Sequence, residues 1–119
     1  MAEPLAIRVS EVVGSEFCVA SDDGQTVYER VAAALRAGQA VSLSFLNVEA
    51  LTSAFLNAAI GQLYGEYSEG QVRSLLSVED MVQDDLALLK RVVDTAKEYF
   101  KQPRPFDEAS REVLGEEDE

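Results

Sequence analysis

The stretch VSLSFLNVEALTSAFLNAAIGQLYGEY, residues 41–67, carries two hydrophobic periods in succession, and the change from one to the other decides the fold. Val41, Leu43 and Phe45 alternate with serines, the period of a strand with one buried face, in a window too short and too rich in β-favouring residues for a helix. From residue 55 the period becomes three to four: Phe55, Leu56, Ala59, Ile60, Leu63, Tyr64 and Tyr67 form the stripe of an amphipathic helix. Thr52 and Ser53 stand at the changeover, where a hydroxyl can accept from the unpaired amides of a first helical turn. Gly61 and Gly65 lie off the stripe. They lower helix propensity by about 1 kcal/mol each relative to alanine, so the helix must depend on packing, and small residues there let another surface approach closely.

Outward from this strand-to-helix junction the same two periods recur. Residues 5–13, LAIRVSEVV, alternate loosely as an edge strand, and EFCVA, ending at Ala20, reads as a second short strand across the turn at Gly14 and Ser15. SDDG offers N-cap residues to a helix carrying Val27, Val31, Ala34 and Leu35, stopped by Gly38. On the other side, VRSLLSVED holds Val72, Leu75, Leu76 and Val78 and predicts a strand beginning near Arg73. From about Asp84 to Phe100, Leu86, Leu89, Val93, Ala96 and Phe100 step at helical spacing, with Asp84 and Asp85 at the positive end and Lys97 and Lys101 at the negative end. Pro103 and Pro105 forbid continuation. The order β-β-α-β-α-β-α predicts one small α/β layer, with a mostly parallel central sheet and helices packed on it. Residues 1–102 form the expected domain. Residues 103–119 form an acidic, flexible tail in which Phe106, Val113 and Leu114 could dock as a short helix.

Composition removes whole classes of chemistry. At 119 residues with 47% hydrophobic content the chain suits a single globular domain. No histidine and one cysteine remove the usual general base, the usual zinc ligands and any internal disulfide. Cys18, in an apolar run, reads as a small buried hydrophobe and not as a reactive thiol. No stretch reaches the roughly 18 apolar residues of a membrane span, and the N-terminus lacks the pattern of a secretory signal, so a cytoplasmic location is expected. The net charge of −12 argues against a phosphate-tracking surface. Residues 103–119 hold seven acids against Arg104 and Arg111, which leaves −7 for residues 1–102. The folded part is itself acidic, as suits solubility or a basic patch on a protein partner.

The strand VSLSFLNVEAL running into TSAFLNAAIGQLYGEY resembles the STAS superfamily, best known from bacterial anti-sigma factor antagonists. It is more closely similar to the STAS-like family called domain of unknown function 4325. That family pairs a strand and an asparagine-valine turn with a hydroxyl-rich helix start. Asn47, Val48, Thr52, Ser53, Phe55 and Leu56 match this pattern, and LALLKRVVDTAKEYF echoes the family's last helix. The likeness spans residues 20–101. It implies a partner-switching module that binds a serine kinase of the histidine-kinase-like ATPase fold and is switched off by phosphorylation at this helix start. Where the antagonists read aspartate-serine-serine-glycine, this chain has Thr52, Ser53, Ala54 and Phe55, and Ala54, at the modified place, has no hydroxyl.

The leading expectation is therefore a non-enzymatic protein-binding module, with no cofactor and no metal, docking a histidine-kinase-like ATPase. The docking residues would be Asn47, Glu49, Thr52, Ser53, Asn57, Gly61 and Gln62. Thr52 and Ser53 can be plain capping residues, an unmodified contact surface, or phosphorylation sites, with Ser53 or Thr52 standing in for the missing serine. A phosphate there would add roughly −1.5 to −2 of charge and be held by the helix amides. Two other readings remain open. Glu49, Glu79 and Asp80 near strand ends could serve a sensor, an enzyme or a hard cation such as magnesium, or could be solvated surface. The acidic tail could act as a decoy for a basic nucleic-acid-binding surface, or could simply solubilise the chain.

Overall fold

Val41, Leu43 and Phe45 are buried on one side of β3 (Val41–Ser44), as the alternation requires, while Ser42 and Ser44 face the other side and are half-buried. β3 is the middle of a three-stranded parallel sheet between β1 (Leu5–Arg8) and β5 (Leu76–Glu79), in the order β1-β3-β5. The register sets Ile7, Leu43 and Val78 side by side on the inner face. Ala6, Ser42 and Ser77 lie on the outer face, where Ala6 and Ser77 are exposed. The structure, a computed structural model, describes residues 3–101. The segment 103–119, with the docking expected of Phe106, Val113 and Leu114, lies outside the described residues.

The inner face is covered by helices. α2 (Ser21–Arg36) buries Val27, Tyr28, Val31 and Leu35 and stops where Gly38 takes a left-handed φ of 76°. The predicted second helix is a run of three pieces: α3 (Ser53–Leu56), a π-helical turn (Asn57–Gly61) and α4 (Leu63–Glu66). Phe55, Leu56, Ile60 and Leu63 are fully buried in it, each contributing roughly 2–3 kcal/mol of hydrophobic stabilisation. α6 (Gln83–Lys101) packs on this run from its far side. Among the described residues no helix is long and apolar enough to cross a membrane.

The β-β-α-β-α-β-α order holds as a frame into which short elements are set. The strand expected over residues 5–13 ends at Arg8, and Val9–Val13 form a one-turn helix, α1, closed by Gly14 at φ 80°. Its valines favour strands locally, but Val9 is buried only if the chain turns there, and tertiary packing overrides propensity. The strand expected from Arg73 begins at Leu76, because Ser68 and Gln71 form a reciprocal capping box that starts α5 (Glu69–Leu75). Two-residue strands β2 (Phe17–Cys18) and β4 (Ala50–Leu51) pair in parallel as a separate small sheet. α2 takes its N-cap at Ala20, without a side-chain bond, so Asp22 and Asp23 act through their charge in the first turn. In α6 the buried positions are Val92 and Ala96, while Leu86 is exposed. Leu89 and Val93 are partly buried against the core, so the expected face holds from Leu89 to Ala96 with Val92 added to it, and only its two ends, Leu86 and Phe100, are exposed.

That turn also corrects the reading of Gly61. Gln62 N–H donates to the Asn57 carbonyl five residues back, at 3.2 Å, and the extra residue shifts the helical phase. Gly61 is thereby brought inside, facing Val92 and Ala96. Gly24 allows the closest approach, since a Cβ there would overlap the Phe55 carbonyl oxygen and lie 2.9 Å from Ala58 Cβ. At Gly65 the obstacle is the Phe100 ring, 2.6 Å away, which is a side chain free to turn. Gly24→Ala is therefore expected to destabilise by about 1–3 kcal/mol, lowering the thermal midpoint by about 5–15 °C. Gly65→Ala should stay within about 1 kcal/mol of wild type, helped by alanine's better helix propensity. Equal losses in thermal denaturation would overturn this assignment.

Two buried groups favour the fold only while protonated. Burial, with the Asp23 carboxylate second, pushes the Cys18 thiol from 9.0 to about 11. Burial, with a hydrogen bond to Glu66 second, pushes the Tyr28 hydroxyl from 10.0 to about 12. Folded values above unfolded ones mean stability is intact below pH 9. It is then lost as pH rises, between pH 9 and about 11 for Cys18 and between pH 10 and about 12 for Tyr28. Urea midpoints should decline from pH 9 upward, with Cys18→Ala lacking the first part of the decline; a flat profile to pH 11 contradicts it.

Candidate functional site

The junction is built by a chain of hydrogen bonds that starts at the carboxyl ends of β3 and β5. Ser44 Oγ donates to Asp80 at 2.6 Å and accepts from Leu46 N–H at 3.2 Å. Past it the chain reverses through Asn47 at φ 68°, with Val48 N–H on the Phe45 carbonyl at 3.1 Å. Asparagine and aspartate are the side-chain-bearing residues that best tolerate this left-handed region, and Asp80 adopts it too, at φ 62°. Glu49 N–H then donates to the Glu16 carbonyl at 2.8 Å, which lines β4 up along β2.

Thr52 closes the arrangement. Its hydroxyl donates to the Val19 carbonyl at 2.7 Å and accepts from Phe55 N–H at 3.2 Å. It is the N-cap of α3 and also the clamp that fixes the helix tip beside the end of β2. Ser53 and Ala54, the next two residues, are exposed. The capping reading of Thr52 is thus realised, and its hydroxyl is fully engaged. The tip remains open to solvent through its neighbours.

Of the residues expected to dock a partner, Asn47, Glu49, Ser53 and Asn57 are exposed and Thr52 is half-buried. Gln62 is turned toward α2, donating to Gln25 Oε1 at 2.7 Å and to the Ala58 carbonyl at 2.8 Å. Gly61 is buried and offers no outer surface. Of the alternative carboxylates, Glu79 and Asp80 share the end of β5 beside Ser44, while Glu49 stands with β2. No group of three or more acids or cysteine placed to hold a metal ion occurs among the described residues.

The structure adds residues that the sequence pattern hid. Phe17 is 54% exposed, Val19 43% and Leu46 39%, the first two on either side of buried Cys18. A strand apolar on both faces was the available signal, since its outer face has no need of a phenylalanine. A cleft of about 630 Å³ also opens between Tyr64, Tyr67 and Phe100, and its lining includes none of Glu49, Glu79 and Asp80. Inside it Lys97 pairs with Glu69 at 2.9 Å, a hydrogen bond that holds the ammonium above its ordinary value.

The two bonds of the Thr52 hydroxyl make it the most sensitive side chain of the junction. Thr52→Ala should cost about 1–2 kcal/mol in urea denaturation, Thr52→Ser much less, and Ser53→Ala about nothing. Equal costs at 52 and 53 would contradict the assignment of the cap.

A protein-family model described as STAS-like domain of unknown function (DUF4325) matches residues 23–86, more than half of the chain, from the first turn of α2 through β3, the junction and β5 into α6. No curated protein and no solved structure matches the chain. With the junction, the parallel sheet and the helices on its inner face all falling within or beside that match, the chain belongs to the STAS-like family of domains of unknown function.

Proposed function

We propose that this protein is a non-enzymatic, cytoplasmic partner-switching module that docks a histidine-kinase-like ATPase through its strand-to-helix junction. The observation that carries the reading is the division of roles at the tip: Thr52 is consumed as cap and clamp, while Ser53, Ala54 and Asn57 are exposed beside it. A rigid tip presents its neighbours in a fixed geometry, which lowers the ordering cost of association.

Ser53 is the residue through which such a contact would be switched. A phosphate on Thr52 would sacrifice the bonds to Val19 and Phe55 and so loosen the tip itself. A phosphate on Ser53 leaves both in place. It also adds charge in the first turn of a helix, where the dipole tolerates it, so the isolated protein keeps its stability. In the complex the same charge would have to be desolvated without a counter-ion, at a cost of several kcal/mol.

Ser53→Glu is expected to weaken binding to the histidine-kinase-like ATPase encoded nearest to this chain by about tenfold or more, with an unchanged thermal midpoint. Titration calorimetry of wild type and variant checks it. Undetectable association of both forms would overturn the reading, and equal tight binding by both would remove Ser53 from it.

A further inference from the structure

We infer that the contact surface of this module is centred on β2, far upstream of the helix tip in sequence, and that it takes a protein partner with an apolar pocket rimmed by lysine and arginine. The inference rests on the docking role proposed for the junction and assigns the chemistry of the partner. Phe17 and Val19 are the exposed apolar side chains on either side of buried Cys18; Phe17 pairs with Ala50 and the Val19 carbonyl accepts from Thr52, which sets this stretch along the segment that leads into exposed Ser53 and Ala54. A large exposed aromatic next to a fixed helix tip is the kind of anchor that dominates interface energetics.

The two segments that build this centre carry charge of one sign. Residues 16–23 and 47–54, joined by the pairing of β2 with β4, contain Glu16, Asp22, Asp23 and Glu49 and neither lysine nor arginine, a formal −4. Glu16, Asp22 and Glu49 are exposed. Glu49 is brought to Glu16 by the backbone bond between them, and the Asp23 carboxylate acts on the Cys18 thiol between Phe17 and Val19. Like charges this dense disfavour a second copy of the chain, whose net charge is −12, and disfavour the chain's own segment 103–119, with its seven acids. They equally disfavour nucleic acid. A basic rim on a foreign protein satisfies them, and the uncharged centre then has no counter-charge for a phosphate or glutamate at position 53.

The test has two arms. In the first, the neighbouring histidine-kinase-like ATPase is titrated with full-length wild type, Phe17→Ser, Val19→Ser and the double variant Glu16→Gln/Glu49→Gln. Circular dichroism verifies that each is folded. The serine variants should bind about tenfold or more weakly through a faster off-rate. The glutamine pair should slow association several-fold and flatten its salt dependence. Wild-type affinity in both serine variants would overturn the inference while leaving the docking role intact. In the second arm, amide chemical shifts of the full chain are followed with a synthetic amphipathic leucine-lysine peptide and its leucine-glutamate counterpart. Shifts confined to residues 16–23 and 47–54 with the lysine peptide alone support the surface even if the ATPase does not bind, in which case the kinase reading alone fails. Shifts elsewhere, or none, would overturn it. So would a dimer in sedimentation that Phe17→Ser abolishes.

Discussion

The backbone of α2 rides directly on the start of the next helix, and the missing side chain of Gly24 is what allows it. A single methyl group there would overlap the Phe55 carbonyl, and backbone cannot yield as a side chain can. The consequence reaches beyond local packing. Val19 and Ala20 lead straight into α2, so the distance between α2 and α3 also sets the distance between the end of β2 and Thr52. With the helices an ångström further apart, the 2.7 Å bond from Thr52 to Val19 would be lost. Two-residue strands cannot hold a junction by themselves. The β2–β4 pair is supported by α1, which packs against β2, and by the direct run of the two strands into α2 and α3, which pack on each other.

What the sequence disclosed follows from how local each determinant is. The Val41-Leu43-Phe45 alternation, the Phe55–Leu63 stripe and the Gly38 stop are short-range patterns, and each is realised. The capping box at Ser68 and Gln71 was equally local, but the apolar run from Val72 to Val78 was read at strand period, which masked α5. The π turn is of another kind. No residue in NAAIG announces an i to i−5 bond, which arises from fitting one helix between α2 and α6, so the inward turn of Gly61 could not be read from the stripe. For the site, Asn47 and Thr52 were legible because left-handed turns and caps select residue types. Phe17 and Val19 show in the sequence only as a strand apolar on both faces; which face is left exposed belongs to the assembled surface and not to the strand.

Charge in this fold is placed where it costs little. Asp22 and Asp23 open α2, Glu69 opens α5, and Asp84 and Asp85 open α6, each at the positive end of a helix dipole. Arg8–Glu11, Arg73–Glu69 and Lys90–Asp94 are exposed pairs three or four residues apart, each worth no more than about 0.5 kcal/mol. They orient side chains and do not carry the fold, which rests on the core along Leu43, Phe55, Ile60 and Leu63. Against that background Glu16 and Glu49 differ from Asp22 and Asp23. They lie in the loops that lead into β2 and β4, in the first turn of no helix.

A surface built this way separates the stability of the domain from its binding. The hydroxyl of Thr52 is bound on both sides within the chain, so altering it changes folding free energy before it changes any contact. The side chains of Ser53, Phe17 and Val19 stand outside that network, so on the proposed reading they would change affinity while the core stays as it is. The separation also limits how a switch can operate here. On the same reading, modification at the tip would not need to reshape the domain, because the difference in free energy would arise in the complex, where an added charge would meet an apolar centre whose basic neighbours are committed to the rim. A rigid tip beside such a centre would then let a change of a few atoms act on binding with the fold unaltered.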